Sequence, residues 1–142
     1  YAAMVRMVRE QLAPFDDRHR ASDVFAEGCA DMIGISGTIT TLVAVQLGLS
    51  RYDRSQVDGR TVSLSEVGEV SRRLVGMTLA ERAAHPCLSR GRADLVIPGC
   101  AVLEAILSLW PATEVRVADR GLREGMLRTM MGADLSVTPL TR

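Results

Sequence analysis

The apolar positions of the chain recur with two different spacings, which together predict an α/β fold. Two short runs have the pattern of β-strands, one at residues 31–35 and one at 114–117. Apolar side chains recur at the spacing of amphipathic helices over residues 1–13, 38–47, 63–75, 78–85 and 122–131. Each strand leads directly into a helix, and helices separate the two strands. We therefore expect parallel strands joined by a right-handed crossover.

Proline and capping residues predict where these helices begin and end. Pro14 should end the first helix, because proline lacks the N–H that an interior helical position donates. Ser63 and Thr78 each begin a capping-box sequence, and Asp119 is placed to cap the last helix. The polar residues 53–59 predict a loop between the second helix and the third.

The apolar pattern leaves open the structure of one segment, the source of further strands and the role of a methionine cluster. Residues 91–109 have a long apolar periodicity interrupted by Pro98-Gly99, which fits either a kinked helix or a strand followed by a helix. Two strands do not form a stable sheet alone, so partner strands must come from further chain, from another subunit or from strands that the pattern does not reveal. Met126, Met130 and Met131 lie at helical spacing and are expected to form core or packing surface.

Composition excludes several classes of function. The 142 residues suffice for one domain, and 17 basic residues balance 17 acidic ones, so no net charge attracts nucleic acid or an anionic membrane. All the basic residues are arginine, which excludes a P-loop lysine and a Schiff base. The few aromatic residues offer no platform for stacked bases, and no apolar run is long enough to span a bilayer. The three cysteines lack a CxxC spacing and indicate a reducing compartment.

The most informative segment lies between the first strand and its helix, where glycines and small hydroxyl residues interrupt the apolar pattern. Glycines let the backbone approach a ligand closely, and a helix N-terminus offers unpaired N–H groups and a partial positive charge. This arrangement predicts a binding site for a phosphate or a nucleotide phosphate, with Gly34, Ser36, Gly37, Thr38 and Thr40 as its candidate residues. The structural alternative is a tight turn followed by a helix cap, which requires the same residue types.

Arginines elsewhere in the chain are candidates for binding the same anion. Arg90 and Arg92 flank a glycine and could form an anion clamp, whereas pairing of Arg92 with Asp94 or with a helix end is the structural alternative. Arg123 lies in the first turn of the last helix and could contact phosphate or form a surface ion pair with Glu124. No set of histidine, cysteine and carboxylate residues has the spacing of a zinc site. The residues of this chain therefore predict no zinc site.

Several short sequences, in this order and at this spacing, are typical of one family. They are GISGTITTL at 34–42, YD at 52–53, VDG at 57–59, MT at 77–78, RAD at 92–94 and ADRGLREG at 118–125. On these residues the chain resembles the Ppx/GppA family of exopolyphosphatases and guanosine pentaphosphate phosphohydrolases over residues 1–131, which leaves 132–142 as a C-terminal tail. The resemblance implies a mostly helical α/β part of a ribonuclease-H-like lobe in the actin-like ATPase superfamily. It would be the later part of the second of two lobes that face each other across a cleft.

The same resemblance implies a reaction, the release of terminal phosphate from inorganic polyphosphate, from guanosine pentaphosphate or from both. Mg²⁺ and the catalytic groups would be held mainly by parts of the protein outside this chain, which would supply one wall of the cleft and be inactive alone. The alternatives are a guanosine polyphosphate-binding module without hydrolysis, and an ATPase or sugar kinase of the same superfamily. The implied partners are polyphosphate or a guanosine polyphosphate in the cytoplasm. Neither nucleic acid nor a membrane is expected, and a homodimer is left open.

Overall fold

The structure is a computed structural model and describes residues 1–88 and 90–132. Within these residues, loops and turns connect the helices and three short strands. The α-helices are α1 (Ala2–His19), α2 (Ala21–Ala26), α3 (Gly37–Gln46), α4 (Arg54–Val57), α5 (Leu64–Gly76), α6 (Leu79–Ala84), α7 (Val96–Leu109) and α8 (Leu122–Met130). The strands are β1 (Ile33–Gly34), β2 (Thr61–Ser63) and β3 (Glu114–Val117), and a 3₁₀ turn covers Arg90–Arg92.

The strands form one mixed sheet in the order β1-β3-β2. β1 runs parallel to β3, with Ile33 opposite Arg116, which confirms the two predicted parallel strands. β2 runs antiparallel to β3, with Val62 opposite Val115, and supplies one partner strand that the pattern did not reveal. It was missed because only one of its three residues is buried, which is too short a pattern for alternation to be recognised.

The core lies between the sheet and three helices, with α3 at its centre. Every residue from Ile39 to Val45 is buried, so α3 is covered on all sides and lacks the polar face of a surface helix. The neighbouring elements contribute one buried face each, namely Val115 and Val117 from β3, Leu64, Val67, Val70 and Leu74 from α5, and Val96, Cys100 and Ala105 from α7. The central position of α3 fixes the location of its N-terminus, where the candidate site lies.

The prediction that the first helix ends at Pro14 is wrong. The helix continues through Pro14 to His19, and the next residue, Arg20, has a left-handed backbone conformation. A proline inside a helix costs about 3 kcal/mol, so other contacts must favour the continuation. The Trp110 indole N–H donates a hydrogen bond to Asp16 at 2.8 Å, and the ring of Phe15 meets the indole edge-on at a centroid distance of 5.8 Å. The indole N–H also lowers the pKa of Asp16. These contacts between α1 and the end of α7 exist only in the folded chain.

One further boundary prediction needs correction, and the structure resolves one segment that the sequence left open. The segment predicted as a loop at 53–59 contains α4, whose N-terminus is capped by the Asp53 carboxylate 2.9 Å from the N–H of Ser55, and Val57 within it is fully buried. The ambiguous segment at 91–109 forms the rest of the 3₁₀ turn and then α7. Pro98 lies in the first turn of α7, where a helix does not use the N–H that proline lacks.

One predicted capping box forms and the other does not. Thr78 accepts from the N–H of Glu81 at 3.3 Å, and the Glu81 carboxylate accepts from the N–H of Thr78 at 2.7 Å, as predicted. Ser63 does begin α5, but no side-chain hydrogen bond caps that helix. The Ser63 hydroxyl lies 2.7 Å from the Ser65 hydroxyl instead.

The side chains of the last helix, α8, are more exposed than its sequence predicts. Met126, Met130 and Met131 were predicted to form core or packing surface, and because all three are exposed, the core alternative is wrong. No residue of α8 is buried within the described part of the chain. No helix in the described residues is long and apolar enough to cross a membrane. The predicted tail at 132–142 lies outside the described residues except for Gly132.

Candidate functional site

The two predicted turns lie at the same edge of the sheet. The parallel pairing of β1 and β3 brings their carboxyl ends together, and the N–H of Ala118 donates to the carbonyl of Gly34 at 2.9 Å. The turn from Gly34 to α3 therefore lies beside the turn from Ala118 to α8. Ligands of α/β sheets bind at this edge, so the predicted location of the site is consistent with the fold.

The two turns differ in how their backbone N–H groups are used. At the start of α8, the N–H of Asp119 donates to Asp58 at 2.9 Å and the N–H of Gly121 donates to Glu124 at 2.8 Å. The prediction that Asp119 caps α8 is therefore wrong. Gly121 occupies the N-cap position, and the Glu124 side chain folds back to its N–H. At the start of α3, the side-chain acceptor is the Ser36 hydroxyl, 3.3 Å from the N–H of Thr38. The N-terminus of α3 is thus the better place for an external anion.

The glycines of the α3 turn have separate roles. A β-carbon at Gly34 would lie 2.9 Å from the side chain of Ile39 and 3.2 Å from that of Val115, so Gly34 is required for close packing under the turn. A β-carbon at Gly37 would meet only the guanidinium of Arg92, at 3.9 Å. Gly37 is itself exposed, so its backbone borders solvent beside a cation.

Arg92 is the arginine that the fold brings to the α3 turn. Its guanidinium donates to the Thr41 hydroxyl at 3.1 Å, and that hydroxyl donates to the carbonyl of Gly37 at 2.7 Å. These residues border a cavity of about 200 Å³ that is lined by Gly37, Thr38, Thr41, Arg92, Leu95 and Val96. A cation and a helix N-terminus therefore converge on one small cavity, which is the arrangement that binds an oxyanion.

The hydroxyl residues of the turn are not equally accessible. Ser36 is exposed and Thr38 is half-buried against Gly99 of α7. Thr40 is only 2 % exposed, and its hydroxyl donates to the carbonyl of Gly37 at 3.2 Å. Thr41, which was not among the predicted site residues, makes the direct contact with Arg92. The sequence predicted that Thr41 lies in a helix next to Thr40. No sequence pattern predicted that its hydroxyl contacts a distant arginine.

Tyr52 is a second residue whose role sequence reasoning missed. Its hydroxyl donates to the Asp119 carboxylate at 2.6 Å and thereby connects the loop after α3 to the turn after β3. Burial, together with this hydrogen bond, raises the pKa of Tyr52 to about 12. The neighbouring Arg54 donates to the carbonyl of Asp119 and lies 3.5 Å from the Glu124 carboxylate.

Asp58 holds the same turn from the other side. Its carboxylate accepts from the Asp119 N–H at 2.9 Å and pairs with the Arg120 guanidinium at 3.0 Å. These contacts, with the backbone N–H as the largest cause, lower the pKa of Asp58. The carboxylates of this turn are therefore engaged with arginines, a tyrosine or backbone N–H groups. Among the described residues, no group of three histidine, cysteine or carboxylate side chains could hold a metal ion.

Arg123 does not lie with Arg92 at the cavity beside the α3 turn. It is exposed in the first turn of α8 and is not among the residues that line the cavity. Its charge lies close enough to contribute to the lowered pKa of Glu124, after the larger effect of the Gly121 N–H. The side chain of Arg90 lies outside the described residues. The structure therefore brings Arg92 together with Gly37, Thr38 and Thr41, and leaves Arg123 at the other turn.

Replacing Tyr52 by phenylalanine should lower the free energy of unfolding by about 1 kcal/mol, because the Asp119 carboxylate loses a donor. The raised pKa favours the neutral phenol in the folded state, so its contribution is complete below pH 10 and is lost as the pH rises from 10 to about 12. Urea unfolding across this range, in the unaltered chain and in Tyr52→Phe, measures the effect. An equal alkaline loss in both proteins would contradict it.

Comparisons with known proteins point to one family. A model of the Ppx/GppA phosphatase family matches residues 2–134. Among curated proteins, exopolyphosphatase 2 of Mycobacterium tuberculosis is 35% identical over 101 residues, which are 71% of this chain and 30% of that protein. The chain therefore spans less than a third of the length of this curated relative.

Solved structures share the fold. An exopolyphosphatase from Cytophaga hutchinsonii superposes with a TM-score of 0.74 and 24% identity over 92% of this chain and 41% of its own. A Ppx/GppA phosphatase of Aquifex aeolicus gives a TM-score of 0.66 and 23% identity over 86% of this chain and 41% of its own. The predicted fold class is thus confirmed, a mostly helical α/β part of the actin-like ATPase superfamily fold, with a mixed sheet rather than two parallel strands alone.

Proposed function

Because this chain belongs to the Ppx/GppA phosphatase family, we propose that it is part of a hydrolase that releases terminal phosphate from inorganic polyphosphate, from guanosine pentaphosphate or from both. The chain contributes a phosphate-binding wall to the cleft between two lobes, as the later part of the second lobe. The observation that carries this proposal is the contact of Arg92 with Thr41 beside the N-terminus of α3.

The wall acts by binding and orienting a chain of phosphates. A guanidinium donates two parallel hydrogen bonds to phosphate oxygens, and a helix N-terminus adds N–H donors and partial positive charge. Thr41 orients Arg92, because its hydroxyl accepts from the guanidinium while it donates to the carbonyl of Gly37. Accurate placement of the anion lowers the barrier to in-line attack by water on the terminal phosphorus.

The described residues do not fit a magnesium site. Mg²⁺ prefers oxygen ligands in octahedral geometry, and the carboxylates nearest the turns, Asp58, Asp119 and Glu124, are engaged with arginines and backbone N–H groups. We propose that Mg²⁺ and the group that activates water belong to polypeptide outside this chain. On the class of its proposed substrates, we propose that the protein acts in the cytoplasm.

The chain alone is expected to release no phosphate from polyphosphate or guanosine pentaphosphate in the presence of Mg²⁺. The reason is that no carboxylate of the described turns is free to act as a base toward water. A phosphate-release assay of the purified chain measures this directly. Sustained turnover would show that a catalytic group lies within the chain and would overturn the division of roles proposed here.

A second candidate, a binding module for guanosine polyphosphates, is favoured by the same combination of a phosphate site and engaged carboxylates. Calorimetric titration with guanosine pentaphosphate and with polyphosphate, together with a phosphate-release assay of a whole Ppx/GppA protein that contains this chain, separates the two proposals. Both proposals expect binding of at least one of the two ligands, because the wall recognises phosphates. Release of phosphate from a bound ligand would favour the hydrolase, binding of the nucleotide without release would favour the module, and heat with neither ligand would count against both.

A further inference from the structure

A second cavity lies at the opposite end of α3 from the cavity beside Arg92. It has a volume of about 690 Å³, and its walls are the end of α3, one face of α5 and the segment that follows α6. Cavities of this volume hold small molecules. Helix α3 has 10 residues and is therefore about 15 Å long, so the two cavities are distinct.

Hydrogen-bond acceptors line this cavity toward the start of α5. Gln46, Glu66 and Glu69 all border it. The Gln46 amide donates through Nε2 to the Glu66 carboxylate at 2.6 Å, while its Oε1 atom is buried and has no hydrogen-bond partner among the described residues. A buried acceptor without a donor costs free energy. Because Gln46 borders the cavity, rotation of its amide would present this oxygen to a donor there.

Hydrogen-bond donors line the same cavity toward the end of α5. Arg73 borders it, and its guanidinium forms no ion pair within the described part of the chain. His85 accepts through Nδ1 from the N–H of Cys87 at 3.3 Å, so the neutral ring carries its proton on Nε2 and can donate. Burial and then the nearby charge of Arg73 lower the pKa of His85, which favours the neutral ring.

These two sets of groups match the two ends of a small zwitterion. An ammonium group has three N–H donors, which suit the Gln46 oxygen and the carboxylates of Glu66 and Glu69. A carboxylate accepts two parallel hydrogen bonds from a guanidinium such as that of Arg73. Glu69 and Arg73 lie one helical turn apart on α5, a rise of about 6 Å. The charged ends of an extended dipeptide are separated by about the same distance.

We propose that this cavity binds a small peptide-like zwitterion, with its ammonium at Gln46 and the two glutamates and its carboxylate at Arg73 and His85. A simple cation would meet the charge of Arg73, and a simple anion would meet the glutamates, so neither suits the whole cavity. The site is independent of the phosphate ligand, since its described lining includes neither Arg92 nor the first turn of α3. An apolar side chain of the ligand would contact the apolar part of the lining, which is Val45, Leu49 and Val70.

Titration of the chain with the dipeptide glycyl-leucine, followed by NMR, tests the proposal. The backbone N–H signals of residues 45–49 should shift as the cavity fills. The N-acetylated dipeptide lacks the ammonium and the dipeptide amide lacks the carboxylate, so each should bind at least about tenfold more weakly. No shift at about 10 mM dipeptide, where a site of millimolar affinity is occupied, or equal affinities for the three compounds would overturn the proposal.

The variant Arg73→Gln separates the proposed contact from a general effect of charge. It should bind the dipeptide about as weakly as the unaltered chain binds the dipeptide amide, because both lack the same ion pair. Arg73 is exposed, so the variant should fold, and circular dichroism checks this. The matched control Arg72→Gln removes the same charge at an exposed position outside the described lining and should bind within about twofold of the unaltered chain. Equal affinities of the two variants would contradict the proposed site.

Discussion

Replacing Arg82 by methionine is expected to lower the free energy of unfolding by about 3 kcal/mol. The Arg82 guanidinium joins three segments, because it donates to the carbonyl of Ala93 at 2.9 Å, to that of Leu74 at 3.4 Å and to that of Met77. Hydrogen bonds from a charged donor contribute about 1.5–3 kcal/mol each, and the partial exposure of this side chain reduces their sum. Methionine retains most of the packing volume, so the loss measures the hydrogen bonds.

The matched control is Arg72→Met, at an exposed position of α5. It removes the same charge and should change the free energy of unfolding by less than about 0.5 kcal/mol. Urea denaturation of both variants gives the comparison. Because Ala93 directly follows Arg92, the Arg82 variant should also weaken phosphate binding. Equal stabilities of the two variants would show that the three carbonyl contacts contribute nothing.

Replacing Gly99 by alanine should lower the free energy of unfolding by about 2 kcal/mol. A β-carbon there would lie 2.8 Å from the Thr38 methyl group and 3.0 Å from its β-carbon, and closer still to its hydroxyl. Overpacking of this kind costs up to about 3 kcal/mol, while alanine gains about 1 kcal/mol of helix propensity over glycine. The clash should therefore dominate and push the starts of α3 and α7 apart.

The control Gly68→Ala lies inside α5, where an added β-carbon meets nothing within 4 Å. It should raise the free energy of unfolding by about 0.5–1 kcal/mol, because only the backbone entropy changes. Truncating Thr38 to alanine in the Gly99→Ala background should recover part of the loss. A Gly99→Ala protein as stable as Gly68→Ala would mean that α3 and α7 do not meet closely at this point.

Sequence reasoning identified the parts of the site that depend on neighbouring residues. The glycine turn, a helix cap at it and the parallel strands were predicted because each depends on short-range patterns of glycine, hydroxyl and apolar residues, and the structure assigns the cap to Ser36. The location of both turns at one sheet edge followed from the parallel pairing. Arg92 was predicted as an anion ligand, but its contact with Thr41, 51 positions away, could not be predicted. That contact depends on the placement of the 3₁₀ turn, to which Arg82 contributes.

The missed features depend on contacts between distant segments. The helix across Pro14 persists because Trp110 contacts it, and Asp119 binds Tyr52 instead of capping α8. In both cases a side-chain hydrogen bond across the fold outweighs a local preference. β2 was missed for a different reason, since its three residues give too short a pattern to distinguish from loop.

Calorimetric titration of the chain with polyphosphate, comparing Arg92→Ala with Arg72→Ala, tests the central claim most directly. Both variants remove one positive charge, but only Arg92 borders the cavity at the N-terminus of α3. The unaltered chain should bind polyphosphate, Arg92→Ala should bind at least about tenfold more weakly, and Arg72→Ala should remain within about twofold of the unaltered chain. Equal affinities of the two variants, or no binding by the unaltered chain, would contradict a phosphate-binding wall built on Arg92 and α3.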